Sequence, residues 1–363
     1  MKIRISKDEL SGGLRKVLSV VSTKTTIPVL SNVLLEAEED KLFLTTSDLE
    51  VCIRTAIPAA VDEPGTTTLP AKKFGQIVNA FSGDKVLLET DEEQNTSVSC
   101  GKSHFRIVGL DPSEFPTEEE LEGNWAFAMP SREIRKAFSK VSYAASLEDS
   151  RQVLNGILLS MRGGLLTVVA TDGRRLALVE KPLEDDSNPD GDVILPSKMV
   201  GEVEKLMGGE DTVQVEVTDS KAAFGCGDTL ITSKLVDGNY PNYRQVIPGN
   251  FSRSAVIPRE AFAAALNRVS MVVSETSASV KMVLENATMT LQAASTEVGD
   301  SSEPLEISYE GEPIDIAFNP VFMMDPLRQL ECDQVILQFN DRFSPMSISG
   351  DEGFLYVIMP MRG

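Results

Sequence analysis

The chain contains one histidine, His104, among 363 residues. A single imidazole cannot build a multi-histidine metal centre. A Ser-His-Asp triad would need His104 in a cleft beside a nucleophile, not in the alternating segment CGKSHFRIVGL, so a surface or interface histidine is expected. The four cysteines (Cys52, Cys100, Cys226, Cys332) show no C-x-x-C spacing, which leaves buried, reduced thiols as the expectation. No G-x-x-x-x-G-K-[ST] phosphate loop and no G-x-G-x-x-G turn occur. No apolar run reaches the roughly 20 residues of a membrane helix. The opening MKIRISKDEL alternates charge with apolarity, unlike a signal peptide, so a cytoplasmic protein is expected. Cations are scarce: 34 Lys and Arg stand against 55 Asp and Glu, a net charge of −21. Spread evenly, that charge repels nucleic acid, so the placement of the cations matters more than their sum. These absences point to no catalytic residue, no metal and no cofactor.

What the chain does have is repetition. VLSNVLL from Val29 and VLNGILL from Val153 stand 124 residues apart. Ser47-Asp48 and Thr171-Asp172 keep the same spacing, and Leu69-Pro70 and Phe115-Pro116 recur at Leu195-Pro196 and Tyr240-Pro241. A fainter third copy repeats KVSYAAS (Lys140 to Ser146) as RVSMVVS (Arg268 to Ser274), and a glycine marks all three copies at Gly101, Gly227 and Gly350. Such periods exceed solenoid units, so each copy is expected to be a domain: residues 1–122, 123–249 and 250–363. Asp48 and Asp172 tempt as paired carboxylates, but they are one turn seen twice, and turn chemistry explains them better.

Each copy reads as two half-units, a helix followed by strands. In PSREIRKAFSKVSYAAS, Ile134, Ala137, Phe138 and Val141 fall on one helical face. Further helices are expected at Lys7 to about Val21, Ala71–Phe81, LPSKMVGEVEKLM, Arg259–Ser274 and Pro320–Leu330. Alternating segments such as TVQVEVTD and TLITSKLV supply strands. Two helices and two short antiparallel sheets per domain make an α+β fold. Lysine and arginine gather on the expected helices: Lys72 and Lys73, then Arg132, Arg135, Lys136 and Lys140, with Lys198, Arg259, Arg268 and Arg328. These are either solvated helix faces or, if the helices line one side, a basic side on an acidic chain. The closing GFLYVIMPMRG, with exposed-looking Val357, Ile358, Met359, Pro360 and Met361, is either a final strand or part of an adaptable groove for partner peptides.

ATDGRRLAL (Ala170–Leu178), TSKLVDGNYPNYRQVIP (Thr232–Pro248), LPAKKF (Leu69–Phe74) and YVIMPMR (Tyr356–Arg362) closely resemble the bacterial sliding-clamp family, the β subunits of DNA polymerase III, and the likeness runs in order over the whole chain. The resemblance implies three clamp domains per chain and a homodimer closing as a six-domain ring around duplex DNA. It implies a processivity factor rather than an enzyme, nucleoid-associated, with a clamp loader, polymerases and repair factors as partners and no membrane. Lys24 and Lys73 match family positions that touch DNA; Lys72, Arg135, Lys136, Lys140 and Lys198 join them on charge. A cleft for a short partner peptide maps onto Leu154, Thr171, Gly173, Arg174, Arg175, Leu176, Pro241 and Val246, with Met346, Val357, Ile358, Met359, Pro360, Met361 and Arg362. Gln152, Val153, Arg174 and Gln245 depart from residues common in relatives and bear on peptide preference. Ring closure maps onto Ile77, Phe81, Phe105 and Ile107 against Val272 and Val273. Charged pairs from Lys73 and Lys102 to Glu297, Asp300 and Glu303 would set its register. A protein-binding scaffold without DNA, or a hydrolase using the acidic turns, are the alternatives the residues leave.

Overall fold

The computed structural model describes the chain except residues 23–24, 117–122, 124, 149, 184–188, 210, 274–278 and 362–363. Lys24 and Arg362 therefore lie outside the described residues. The first repeat runs β1 (Lys2–Ser6), α1 (Lys7–Val17), β2 (Asn32–Glu38), β3 (Lys41–Ser47), β4 (Val51–Pro58), β5 (Ala60–Glu63) and β6 (Gly65–Pro70). It continues through α2 (Ala71–Ala80), β7 (Lys85–Thr90), β8 (Asn95–Cys100) and β9 (Ser103–Val108). The second comprises β10 (Trp125–Pro130), α3 (Ser131–Ser139), the short α4 (Gln152–Asn155), β11 (Gly156–Arg162), β12 (Leu165–Thr171) and β13 (Arg175–Pro182). After β14 (Gly191–Pro196) come α5 (Ser197–Leu206), β15 (Thr212–Val217), β16 (Lys221–Cys226) and β17 (Thr229–Lys234). The third opens with β18 (Arg253–Pro258), α6 (Arg259–Val269), β19 (Val280–Glu285), β20 (Thr288–Ser295), β21 (Gly299–Glu306), β22 (Ser308–Tyr309) and β23 (Ile314–Phe318). It ends with α7 (Pro320–Gln329), β24 (Gln334–Phe339), β25 (Met346–Ser349) and β26 (Phe354–Ile358).

The helices form where apolar side chains recur at helical spacing. Leu10, Leu14 and Val17 bury one face of α1, with Asp8 and Glu9 in its first turn and Arg15 and Lys16 in its last, matching the helix dipole. Gly13 lets that face approach β3 and β4: a Cβ there would meet Leu44 at 2.9 Å and Ile57 at 3.0 Å. On α3, Ile134, Ala137 and Phe138 are fully buried as the spacing requires, and Val141 just beyond joins them. Two helices stop sooner than their patterns suggest. α1 ends at Val17, and α6 gives way at Ser270 to a 3₁₀ turn.

Each repeat contributes two sets of antiparallel strands, but the sets do not stay separate; they assemble into four sheets. One has the order β5-β1-β7-β8-β9 and another β21-β20-β19-β23. The eight-stranded sheet β10-β15-β16-β17-β4-β3-β2-β6 joins the second repeat to the first through β17 and β4. The nine-stranded sheet β14-β11-β12-β13-β26-β25-β24-β18-β22 joins the second to the third through β13 and β26. Two compact units result, residues 1–135 with 198–235 and residues 136–197 with 236–363. Each is held by its own continuous sheet, and the central repeat is divided between them. The cysteines form no disulfide, yet only Cys52 and Cys100 are buried; Cys226 and Cys332 are half-buried, a departure from the expectation of four interior thiols.

Candidate functional site

The cations separate into free and committed groups. Lys72 and Lys73 sit at the start of α2, exposed, with no ion pair to a described carboxylate. Arg15 is likewise exposed in the last turn of α1, a cation that motif reading passed over although the apolar period places it outside. Lys136 reaches Glu331 at 2.7 Å, and Lys198 pairs with Asp48. Arg135 packs its side chain against Gly208, where an added Cβ would clash with the guanidinium. Lys140 is a correction: it is 8 % exposed, and its ammonium is bonded to Asp351, which also accepts the amides of Glu331 and Cys332. Burial alone would raise the Asp351 carboxyl's pKa, but Lys140 and the Glu331 amide outweigh it and hold it below the usual range. Lys140 is an interior strut, not a contact for a polyanion.

The turn between β12 and β13 carries most of the second candidate site. Asp172 Oδ1 accepts the amides of Arg174 at 2.8 Å and Arg175 at 3.0 Å; Asp48 does the same for Glu50 and Val51 in the first repeat. The acidic turns are thus Asx-type turns, as expected. Thr171 Oγ1 donates to the Arg175 carbonyl at 2.6 Å and accepts from Gly173 N, whose φ of +85° only glycine adopts freely. Arg175 is drawn inward. Its guanidinium bonds Asp172, Asp325 and the Tyr143 carbonyl and lies 4.2 Å from the Phe322 ring centroid. Asp325, Tyr143 and Phe322 gave no signal in the sequence, because their roles depend on contacts distant along the chain. Arg174 remains exposed, as does Gly173, and Leu154 is half-buried.

Against this turn lies β26, with Leu176 facing Val357 and Arg175 facing Ile358 in register. The apolar tail begins as the final strand and then leaves it. Val357 and Ile358 are strand residues, 3 % and 0 % exposed, whereas Met359 and Met361 are exposed and Pro360 is half-buried. Met359 N bonds the Arg174 carbonyl at 3.0 Å, and Met361 N bonds Ala317 O at 2.7 Å, pinning the tail beside the turn. Met346 is a second correction, fully buried on β25 opposite Ile358 and therefore part of the support. Leu176, Val357 and Tyr243 share one apolar cluster, with Val153, Tyr240 and Ile247 packed on it. Pro241 and Val246 are exposed on the following segment. The result is a half-covered apolar surface rimmed by Gly173, Arg174, Met359 and Met361.

The third set of residues lies on or beside two strands at sheet edges. β9 ends the five-stranded sheet, and β21 ends the four-stranded one. On β9, Phe105 is 41 % exposed and stacks edge-on against buried Phe81 at 5.7 Å, Val108 is exposed, and Ile107 points inward at 9 %. His104 is also exposed there, its Nδ1 lying 3.0 Å from Ser99 Oγ. Ile77 is half-buried on α2, and Lys102 is exposed. On the other side Asp300 and Glu297 are exposed, and Val272 and Val273 are half-buried. Glu303 is held by Arg268 of α6, which keeps its carboxyl below the usual range.

The comparisons with known proteins agree along the chain. Family models of the DNA polymerase III beta subunit match its N-terminal domain at residues 1–119, its central domain at 128–242 and its C-terminal domain at 244–362. A β sliding clamp of Chlamydia muridarum is 34 % identical over 362 residues, covering 100 % of this chain and 99 % of that protein. The β sliding clamp of Haemophilus influenzae is 33 % identical, with 100 % of both chains covered. Among solved structures, a Pseudomonas aeruginosa sliding clamp bound to griselimycin superposes with a TM-score of 0.96 at 31 % identity, covering 100 % of both chains. A Bacillus subtilis sliding clamp also reaches 0.96, at 28 % identity, covering 100 % of this chain and 99 % of that one. The chain belongs to the DNA polymerase III β-subunit family, the bacterial β sliding clamps.

Proposed function

We propose that two copies of this chain close, end to end, into a ring that encircles duplex DNA and tethers a polymerase to it. The chain is a sliding clamp and a processivity factor, without catalysis of its own. One observation carries the closure. Wherever repeats meet within the chain, the last strand of one pairs with the strand after the Asx-type turn of another: β17 with β4 and β26 with β13. That rule leaves β9 of the first repeat and β21 of the third as the two ends without a partner. Unpaired edges with exposed apolar residues invite strand addition. Because β21 edges a sheet of one terminal repeat and β9 a sheet of the other, two copies satisfy each other's edges through a two-fold axis.

The internal junctions also supply a register. Cys52 and Leu176, ladder partners of Ser47 and Thr171, face Thr232 and Val357, each the fourth residue of its strand. Gly299, the ladder partner of Ser295, then faces Arg106 of the second copy. Asp300 faces Phe105, and Glu303 comes opposite Lys102. Phe81, Phe105, Ile107 and Ile77 would meet Val272 and Val273 beneath the new ladder. Sedimentation equilibrium tests this reading: the chain should run at twice its 39.4 kDa mass, and Phe105→Asp should return it to the monomer. A wild-type monomer at micromolar concentration would contradict it.

The remaining assignments follow. Lys72, Lys73 and Arg15, with Lys24, are the DNA-facing cations, joined by Arg135 and, to the extent that their carboxylate partners release them, by Lys136 and Lys198. Contacts to phosphates alone hold a duplex without reading its sequence, as sliding requires. The surface rimmed by Gly173, Arg174, Pro241, Val246, Met359 and Met361, floored by Leu154, Leu176 and Val357, receives a short apolar peptide of the polymerase or clamp loader. The repeats 1–122, 123–249 and 250–363 remain the duplicated domains, and the protein works in the cytoplasm on the nucleoid. Among the described residues no helix is long and apolar enough to cross a membrane.

A further inference from the structure

The β4–β17 junction carries a recess of about 160 Å³ at the place equivalent to the surface beside β13 and β26. The equivalence is residue by residue. Val51 faces Ser233 and Cys52 faces Thr232, as Arg175 faces Ile358 and Leu176 faces Val357. Pro116 stands on its rim where the second repeat has Pro241. The chemistry is different. The run Val357-Ile358-Met359 is replaced by Thr232-Ser233-Lys234, and the recess takes a second ammonium from Lys221.

Lys221 and Lys234 are direct cross-strand partners on β16 and β17. Like charges placed opposite each other repel, and neither lysine pairs with a described carboxylate. Their surroundings are charged as follows. Among the described residues Glu50, exposed on the rim, is the one acid lining the recess, while nearby Asp48 is already neutralised by Lys198. Its described lining therefore sets two ammonium groups against one carboxylate on a chain of −21. Its lip is equally unusual. Leu49 has a φ of +75° where the second repeat has Gly173, and it is 43 % exposed. A leucine in the left-handed region costs stability, and here it also presents its side chain to solvent.

We propose that this recess is a second peptide site, for an extended acidic segment that sets carboxylates between Lys221 and Lys234 and lays an apolar side chain on Leu49. The volume admits one or two small side chains, and the lysine pair selects carboxylate over the apolar anchors suited to the other junction. The proposal stands on the β4–β17 recess alone and does not require the β13–β26 surface to bind anything.

Fluorescence anisotropy of a labelled acetyl-Glu-Leu-Glu-Gly peptide, titrated with the full-length protein, tests it. Saturable binding is expected, with the Gln-Leu-Gln counterpart failing to compete. Lys221→Glu with Lys234→Glu should weaken binding by at least about tenfold, the loss of one charge-assisted contact. Lys221→Gln with Lys234→Gln, which removes charge without adding any, should give the same direction if the first variant does not fold. Deleting residues 359–363 should leave the affinity unchanged. Binding that is absent, insensitive to the lysine variants, or matched by the Gln peptide would overturn the site. Loss on deleting 359–363 would move the peptide to the other junction and overturn this one. Displacement by inorganic phosphate at the peptide's own concentration would reduce the recess to a simple anion trap and overturn the peptide assignment.

Discussion

The two junctions inside this chain are copies of one design with opposite surfaces. At both, a turn closed by an aspartate leads into a strand that pairs with the final strand of a neighbouring repeat. At β13–β26 the turn holds a glycine in the left-handed region, an inward arginine and a Val-Ile-Met strand. At β4–β17 the corresponding places hold Leu49, Val51 and Thr-Ser-Lys. Backbone pairing has been kept and side-chain chemistry exchanged. Backbone geometry thus joins the repeats, and side chains make the two junction surfaces differ.

The largest effect should come from the ion pair that braces the β25–β26 turn. Lys140→Met leaves the half-buried Asp351 without its counter-charge and should cost about 3 kcal/mol, read from urea unfolding. Lys198→Met at the other junction should cost clearly less, because Lys198 is 40 % exposed and screened by solvent. Equal losses would mean that the two junctions are braced alike.

Converting one junction into the other comes next. Val357→Thr with Ile358→Ser gives β26 the polar pair of β17. Burying two hydroxyls in place of methyl groups should cost about 1–3 kcal/mol and abolish capture of an apolar partner peptide, while the dimer mass is preserved. Retained capture would show that the exposed tail alone makes that site. Exchanging the turns is subtler: Leu49→Gly should stabilise the chain by about 1 kcal/mol by relieving the left-handed leucine, and Gly173→Leu should destabilise it by a similar amount.

Acid should weaken both junctions. For Asp48, burial favours the neutral form, but Lys198 and the Val51 and Glu50 amides prevail and lower the pKa; Asp351 behaves likewise. A lowered folded-state pKa adds stability that is complete above the unfolded-state value and is lost as pH falls through the folded one, so the loss should appear below about pH 4. Lys140→Met should flatten that slope in a melting series; an unchanged slope would assign it to other carboxylates.

How far the sequence alone carries the account follows from the range of each interaction. Asp48 and Asp172 were legible as turns because they bond amides two and three residues away. The buried face of α3 was legible because helical spacing is local. The fates of the lysines were not: Lys140 meets Asp351 across 211 positions and Lys198 meets Asp48 across 150, distances at which charge patterning along a helix says nothing. The merging of six strand sets into four sheets was hidden for the same reason. Alternation identifies a strand and its faces but not the edge that finds a partner. Met346 shows the limit of motif transfer: it sits beside the tail, as the resemblance implies, but beneath it.

The central claim is that topology, not affinity, holds the protein on DNA. The direct measurement is retention on nicked circular DNA, followed by cutting the circle once. The closed ring predicts that the protein stays on the circle through gel filtration and leaves when the DNA becomes linear. Equal retention on the linear product would contradict it.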